Sequence, residues 1–119
     1  MTWAQLDVHS NATLNDSLQA YSSGLIEGHL TADLIDFHWN NNIQHYCDNS
    51  SQFCDILFPF IEKNVEFMKT EIKKYAKTDE YWHQIELSLI QLTGIEDGYR
   101  AARDGVQPLG ARIDLSANG

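Results

Sequence analysis

Two cysteines and five histidines are the side chains of this sequence best suited to nucleophilic or metal chemistry. Cys47 and Cys54 have six residues between them, a wider spacing than in zinc-binding or redox-active cysteine pairs. In an oxidising compartment this spacing favours a local disulfide, whereas in the cytosol both residues would be thiols. His45 lies close to Cys47 in sequence, but that nearness does not provide the geometry in which a base activates a thiol. We therefore predict no catalytic cysteine and no other catalytic residue.

One region is dense in possible metal ligands, yet it does not predict a metal site. A break in the helical pattern at 28–31 divides the region, so its members do not share one helix face. No histidine pair has the spacing of a zinc-binding helix. We predict no metal and no cofactor, and we expect His38 and His83 to be partly buried structural side chains. The dense region consists of Glu27, His29, Asp33, Asp36 and His38.

Composition narrows the class of protein. The net charge of −9 argues against nucleic acid as a partner, because phosphate binding needs a basic surface. The sequence has no apolar run long enough for a transmembrane segment, and its first residues do not form a signal peptide. Three glycosylation sequons begin at Asn11, Asn15 and Asn49. Their number favours a secretory protein of which this chain is a piece.

Hydrophobic periodicity predicts a mainly α fold of about four amphipathic helices. Asn15 or Asp16 is expected to cap the first helix, Thr31 the second and Asp79 the fourth. Pro59 either marks the first turn of the third helix or kinks it. The predicted helices span about 16–29, 32–45, 54–77 and 80–102.

The predicted buried faces follow the spacing of apolar residues along each helix. On the first helix the face is Leu18, Tyr21, Leu25 and Gly28. On the third it is Leu57, Phe60, Ile61, Val65, Met68, Ile72 and Tyr75. On the fourth it is Trp82, Ile85, Leu89, Leu92, Ile95 or Glu96, and Tyr99.

Small residues four apart predict close approach of another backbone to the first and fourth helices. Ala20, Gly24 and Gly28 form one such ridge, and Gly94 and Gly98 repeat the spacing. Glycine costs a helix roughly 1 kcal/mol relative to alanine, so its repeated use indicates a packing requirement. The alternative is that Gly28 only ends the first helix. Short strands are predicted at 3–8 and at 112–115.

In several ordered segments the sequence resembles the phospholipase B-like family of lysosomal and secreted hydrolases. Tyr46, Cys47 and Cys54 also resemble the small disulfide loop of that family. The resemblance covers roughly residues 3–110. Its segments are 15–21 (NDSLQAY), 24–28 (GLIEG), 30–35 (LTADLI), 38–40 (HWN), 81–84 (YWHQ), 89–92 (LIQL), 94–97 (GIED) and 108–110 (PLG).

The resemblance implies an αββα N-terminal-nucleophile hydrolase fold, of which residues 1–119 are a single partial domain in the outer helical layer. It implies glycosylation, a lysosomal or secreted location, and hydrolysis of acyl ester or amide bonds of lipids by a cysteine that heads a second chain. The family's cleavage motif places small residues around that cysteine. Here Cys47 follows Tyr46 and Cys54 follows Phe53, so neither matches.

We therefore expect an inactive fragment of a phospholipase B-like hydrolase whose partners are the remainder of that hydrolase and its lipid substrate. In this view the glycine ridge of the first helix packs on the absent remainder. The alternative is a free-standing, non-catalytic helical binding protein, because four amphipathic helices could bury one another.

Overall fold

The computed structural model describes residues 4–105, and helices make up most of them. These residues contain no strand, which confirms the prediction of a mainly α fold. A short π-helical turn at Trp39–Ile43 follows the second helix. The α-helices are α1 (Asp16–Leu30), α2 (Ala32–His38), α3 (Ser51–Tyr75) and α4 (Glu80–Asp104).

Side-chain hydrogen bonds reinforce both ends of α1, and the one at the start pairs an amide that the helix itself leaves unpaired. At the start, Asn15 Oδ1 accepts a hydrogen bond from the Leu18 amide at 2.8 Å, as predicted. At the end, the Thr31 hydroxyl donates to the carbonyl of Glu27 at 2.7 Å. Thr31 is therefore the C-cap of α1. It also stands directly before α2, which begins at Ala32, and its capping of that helix stays a prediction.

The second predicted helix is shorter than expected. We predicted about 32–45, but α2 ends at His38 and gives way to the π-helical turn, in which the Gln44 amide donates to the Trp39 carbonyl at 2.9 Å. The Asn42 side chain donates to the carbonyl of His38 at 3.2 Å. An asparagine amide that competes for backbone carbonyls in this way disfavours a regular helix.

The third helix begins earlier than predicted, at Ser51, so Cys54 lies inside its first turn. Pro59 falls well past that turn, within the helix, where it has no amide to donate to the preceding turn. At α4 the Asp79 carboxylate accepts from the Tyr81 amide at 2.9 Å, which confirms the predicted cap.

The structure tests only the first of the two predicted strands. Residues 4–8 have no regular structure, and the first turn of the chain follows only at 12–13. A strand needs a neighbouring strand to pair its backbone groups, and residues 4–105 supply none. The prediction for 4–8 is therefore wrong, while the one at 112–115 lies outside the described residues.

The described helices form two compact units. One contains the described residues up to Ala32 and those from Leu87 onward, so it holds α1 and most of α4. The other contains 33–86, including α3 and the first turns of α4, where the rings of Phe67 and Trp82 meet edge to face at 6.0 Å.

The predicted buried faces are right for part of α3 and for most of α4. Leu57, Val65, Met68 and Ile72 are at least partly buried, as predicted. On α4 the predicted positions are also partly buried, except that Leu92 is exposed, and the buried Ile90 and Asp97 were not among them. Glycine contacts set the orientation of that helix. The other predicted face residues that are exposed are Leu18, Phe60, Ile61, Tyr75 and Glu96.

Candidate functional site

The helices α1 and α4 meet backbone to backbone along their glycines. A Cβ atom added to Gly28 would overlap the carbonyl oxygen of Ile95 and lie 2.8 Å from its Cα. From the other side, a Cβ added to Gly98 would overlap the carbonyl oxygen of Leu25 and lie 2.8 Å from the amide nitrogen of His29. No side chain fits at such a crossing, so the glycines are a packing requirement.

This crossing corrects one of our expectations. We expected the glycine ridge of the first helix to pack on a part of the hydrolase that the chain lacks, but its partner is α4 of the same chain. The alternative that Gly28 only ends the helix is also wrong, because α1 continues to Leu30 and Gly28 is buried.

A buried carboxyl group lies at the same crossing. Asp97 is only 5% exposed, and the Tyr21 hydroxyl donates to its Oδ2 at 2.9 Å. Burial of the phenol, this hydrogen bond and the charge of Asp97 raise the pKa of Tyr21 from 10.0 to about 12. A tyrosine that holds its proton so firmly is a poor base or nucleophile, so the pair suits a structural role.

Sequence reasoning missed Asp97. We treated α4 as an apolar stripe and assigned Asp97 no structural role. The signal was present in the spacing, since Asp97 follows Gly94 by three residues and precedes Gly98. Residues three and four apart share a helix face, so a buried glycine pair indicates that a flanking carboxyl group is buried as well.

Replacing Tyr21 by phenylalanine is expected to lower the free energy of unfolding by about 1–2 kcal/mol, because it leaves a buried carboxyl group without this donor. Tyr81→Phe is the matched control, since Tyr81 is exposed on α4. Denaturant titration monitored by circular dichroism at neutral pH measures both variants. Equal midpoints for Tyr21→Phe and the wild type would contradict the role of the pair.

The unfolding free energies of the wild type and Tyr21→Phe are also expected to depend differently on pH. Because the folded state raises the pKa of Tyr21, the stability that its proton contributes is fully present below pH 10.0 and is lost as pH rises towards about 12. We expect the wild type to lose more stability over that window than Tyr21→Phe does.

The histidines do not converge on a site. His45 Nδ1 lies 2.8 Å from Asp48 Oδ2 in an exposed pair, and His83 is partly buried, as expected. His38 is exposed, contrary to our prediction, with its Nδ1 3.2 Å from the Asn42 side chain. Among residues 4–105 no group of three or more histidine, cysteine or acidic side chains is placed to hold a metal ion.

The two cysteines form a disulfide, with their Cα atoms 6.0 Å apart. The bond joins the turns at 44–49, which follow the π-helical segment, to the first turn of α3. In this state neither sulfur is available as a thiolate, the form that acts as a nucleophile.

All three sequon asparagines are exposed, but their local geometries differ. Asn11 Oδ1 accepts from both the amide and the hydroxyl of Thr13, at 2.9 and 2.8 Å. Asn15 caps α1, and Asn49 lies in the loop that the disulfide closes. Glycosylation at these positions stays a prediction.

Within the part of the chain that the structure describes, no helix combines the length and the apolar character that crossing a membrane demands.

Comparisons with known proteins give a consistent result. The family model described as Phospholipase B matches residues 1–115. The chain is 38% identical over 117 residues to phospholipase B-like 2 of Rattus norvegicus, a match that covers 91% of the chain and 20% of the rat protein. It is 39% identical over 102 residues to phospholipase B-like protein D of Dictyostelium discoideum, covering 84% of the chain and 17% of that protein. The chain thus spans about a fifth of the length of these relatives.

Proposed function

This chain belongs to the phospholipase B family, and on that premise we propose that it is a helical part of a phospholipase B-like hydrolase acting on acyl ester or amide bonds of lipids. The observation that carries the proposal is the family match over residues 1–115. In this proposal residues 1–119 are a partial domain, and the complete protein is a glycosylated lysosomal or secreted hydrolase with an αββα N-terminal-nucleophile fold.

The chain's own contribution is structural. Cys47 and Cys54 are bonded to each other, so neither is available as a nucleophile, and residues 4–105 contain no free cysteine. Neither cysteine has the small neighbours of the family's nucleophile motif. The helices would therefore form an outer layer, while the nucleophile and the lipid site come from the rest of the hydrolase.

A free-standing helical binding protein is the second candidate. The observation in its favour is the α1–α4 crossing, which the chain completes by itself through Gly24, Gly28, Gly94 and Gly98. Thermal unfolding of the isolated chain separates the two. A sharp thermal transition of a monomer favours an independent protein, whereas a broader transition at lower temperature favours a part that needs the rest of the hydrolase.

Hydrolysis assays test the first proposal directly. We expect the isolated chain to hydrolyse neither phospholipids nor simple ester and amide substrates above the buffer rate, because both cysteines are bonded and neither matches the family's nucleophile motif. The double variant Cys47→Ala/Cys54→Ala is the control for adventitious thiol activity. Turnover that is robust and persists in that variant would overturn the proposal of a non-catalytic part.

A further inference from the structure

We propose that three phenylalanine rings along α3, named here the aromatic row (Phe53, Phe60 and Phe67), form the surface on which the rest of the hydrolase docks. This inference rests on the proposed function and deepens it by naming the interface. The members are 52%, 66% and 55% exposed, and all lie in the unit formed by 33–86.

The spacing places the aromatic row on one side of the helix. Its members are seven residues apart, which is close to two helical turns, so the rings follow one another over about 21 Å. A neighbouring aromatic ring packs against each end of the aromatic row. Tyr46 packs edge to face on Phe53 at 6.4 Å, and Trp82 does so on Phe67 at 6.0 Å. The middle ring, Phe60, is the most exposed of the three.

The aromatic row is separate from the side of α3 that is already covered. Cys54 is buried, and Leu57, Val65, Met68 and Ile72 are partly buried. These residues recur at helical spacing on the side that faces the interior of the unit. Rings that lie outside that face and remain half exposed over several turns form an apolar surface typical of a protein interface.

The small number of buried hydrophobic side chains indicates that another part of the hydrolase covers the aromatic row. Among the described residues the buried hydrophobic side chains are only Ala32, Cys54 and Ile90. Domains of this length normally bury a much larger apolar surface on folding. The chain spans about 20% of its rat relative, so a protein of family length has another four-fifths that could supply this burial.

Charge disfavours two other occupants. The chain carries a net charge of −9, so a second copy or an anionic lipid surface would be repelled as it approached. The glycine crossing is not an alternative docking site, because α1 and α4 already occupy it by packing on each other. The remainder of the hydrolase is therefore the occupant to which we commit.

The test co-expresses this chain in the secretory pathway with a tagged form of the rat relative from which the matched segment has been removed. The amount of this chain that copurifies with the tagged protein is then measured over a range of chain concentrations. We expect Phe60→Gln to weaken the association about tenfold or more, as is common for a central aromatic anchor. Phe58→Gln is the matched control, because Phe58 is 54% exposed two residues away and points off the row. It should bind within about twofold of wild type.

Folding of each variant is checked by circular dichroism on the isolated chain. Both rings already face solvent there, so neither substitution should change the helix content or the unfolding midpoint. A loss of helix in Phe60→Gln would show that this ring is part of the chain's own core and would overturn the docking surface.

The remaining outcomes are decisive. Equal binding by Phe60→Gln and Phe58→Gln overturns the surface and leaves the proposed function intact. Failure of the wild-type chain to copurify also overturns the docking surface. So does a wild-type chain that forms a homodimer or binds vesicles, if Phe60→Gln abolishes that association. A complex that forms through Phe60 but hydrolyses no lipid ester or amide supports the surface and counts against the proposed function.

Discussion

Replacing Gly28 by alanine is expected to lower the free energy of unfolding of this chain by about 2–3 kcal/mol. The added methyl group would overlap the carbonyl oxygen of Ile95 and lie 2.7 Å from its carbonyl carbon. Backbone atoms cannot rotate away as a flexible side chain can, so α1 and α4 would have to separate. Alanine is the better helix former by roughly 1 kcal/mol, and that gain offsets only part of the loss.

The matched control is His29→Ala, at the next position of α1, where the side chain is exposed. It makes a comparable improvement in helix propensity without entering the crossing. Guanidinium titrations of the wild type and both variants, followed by circular dichroism, give the three free energies. If Gly28→Ala is as stable as His29→Ala, the helices do not cross at these glycines.

The disulfide has the second large expected effect. The bond closes a loop with a sequence separation of 7, and the loop-entropy relation assigns roughly 2–3 kcal/mol to a closure of that size. We expect Cys47→Ala/Cys54→Ala to lose this amount, with α3 fraying at the turn that contains Cys54. Denaturant titration with and without reductant measures the loss.

Reductant also provides the control. Reduced wild type should unfold at the same denaturant concentration as the double variant, and the variant itself should not respond to reductant. A wild-type midpoint that does not change on reduction would mean that the loop is held by its other contacts. The stability of this part of the fold would then not depend on an oxidising compartment.

Local signals in the sequence predicted the helices and several of their ends. The periodicity of apolar residues placed four helical segments, and the Asn15 and Asp79 caps were identified because each acts on an amide two or three residues away. The breakdown of the second helix was missed because it depends on a hydrogen bond from Asn42 to a backbone carbonyl. Propensities describe that competition poorly.

The candidate site was less accessible to the same reasoning. Tyr21 and Asp97 are 76 residues apart in the chain, and no periodic pattern connects them. The glycine spacing predicted that some backbone would come close to α1, but the pattern does not identify which one. Our choice of an absent segment was wrong because Gly94 and Gly98 offer a complementary surface within the chain.

The sequence alone determined that four helical segments form, which asparagines stand in sequons, and which family the chain resembles. These properties depend on residues within a few positions of one another or on the order of motifs. The tertiary structure alone decided that α4 fills the glycine ridge, that Asp97 is buried against Tyr21, and that the aromatic row stays uncovered. Each of these results is a choice among possible partners far apart in the chain, and packing makes that choice only when all the helices are present together.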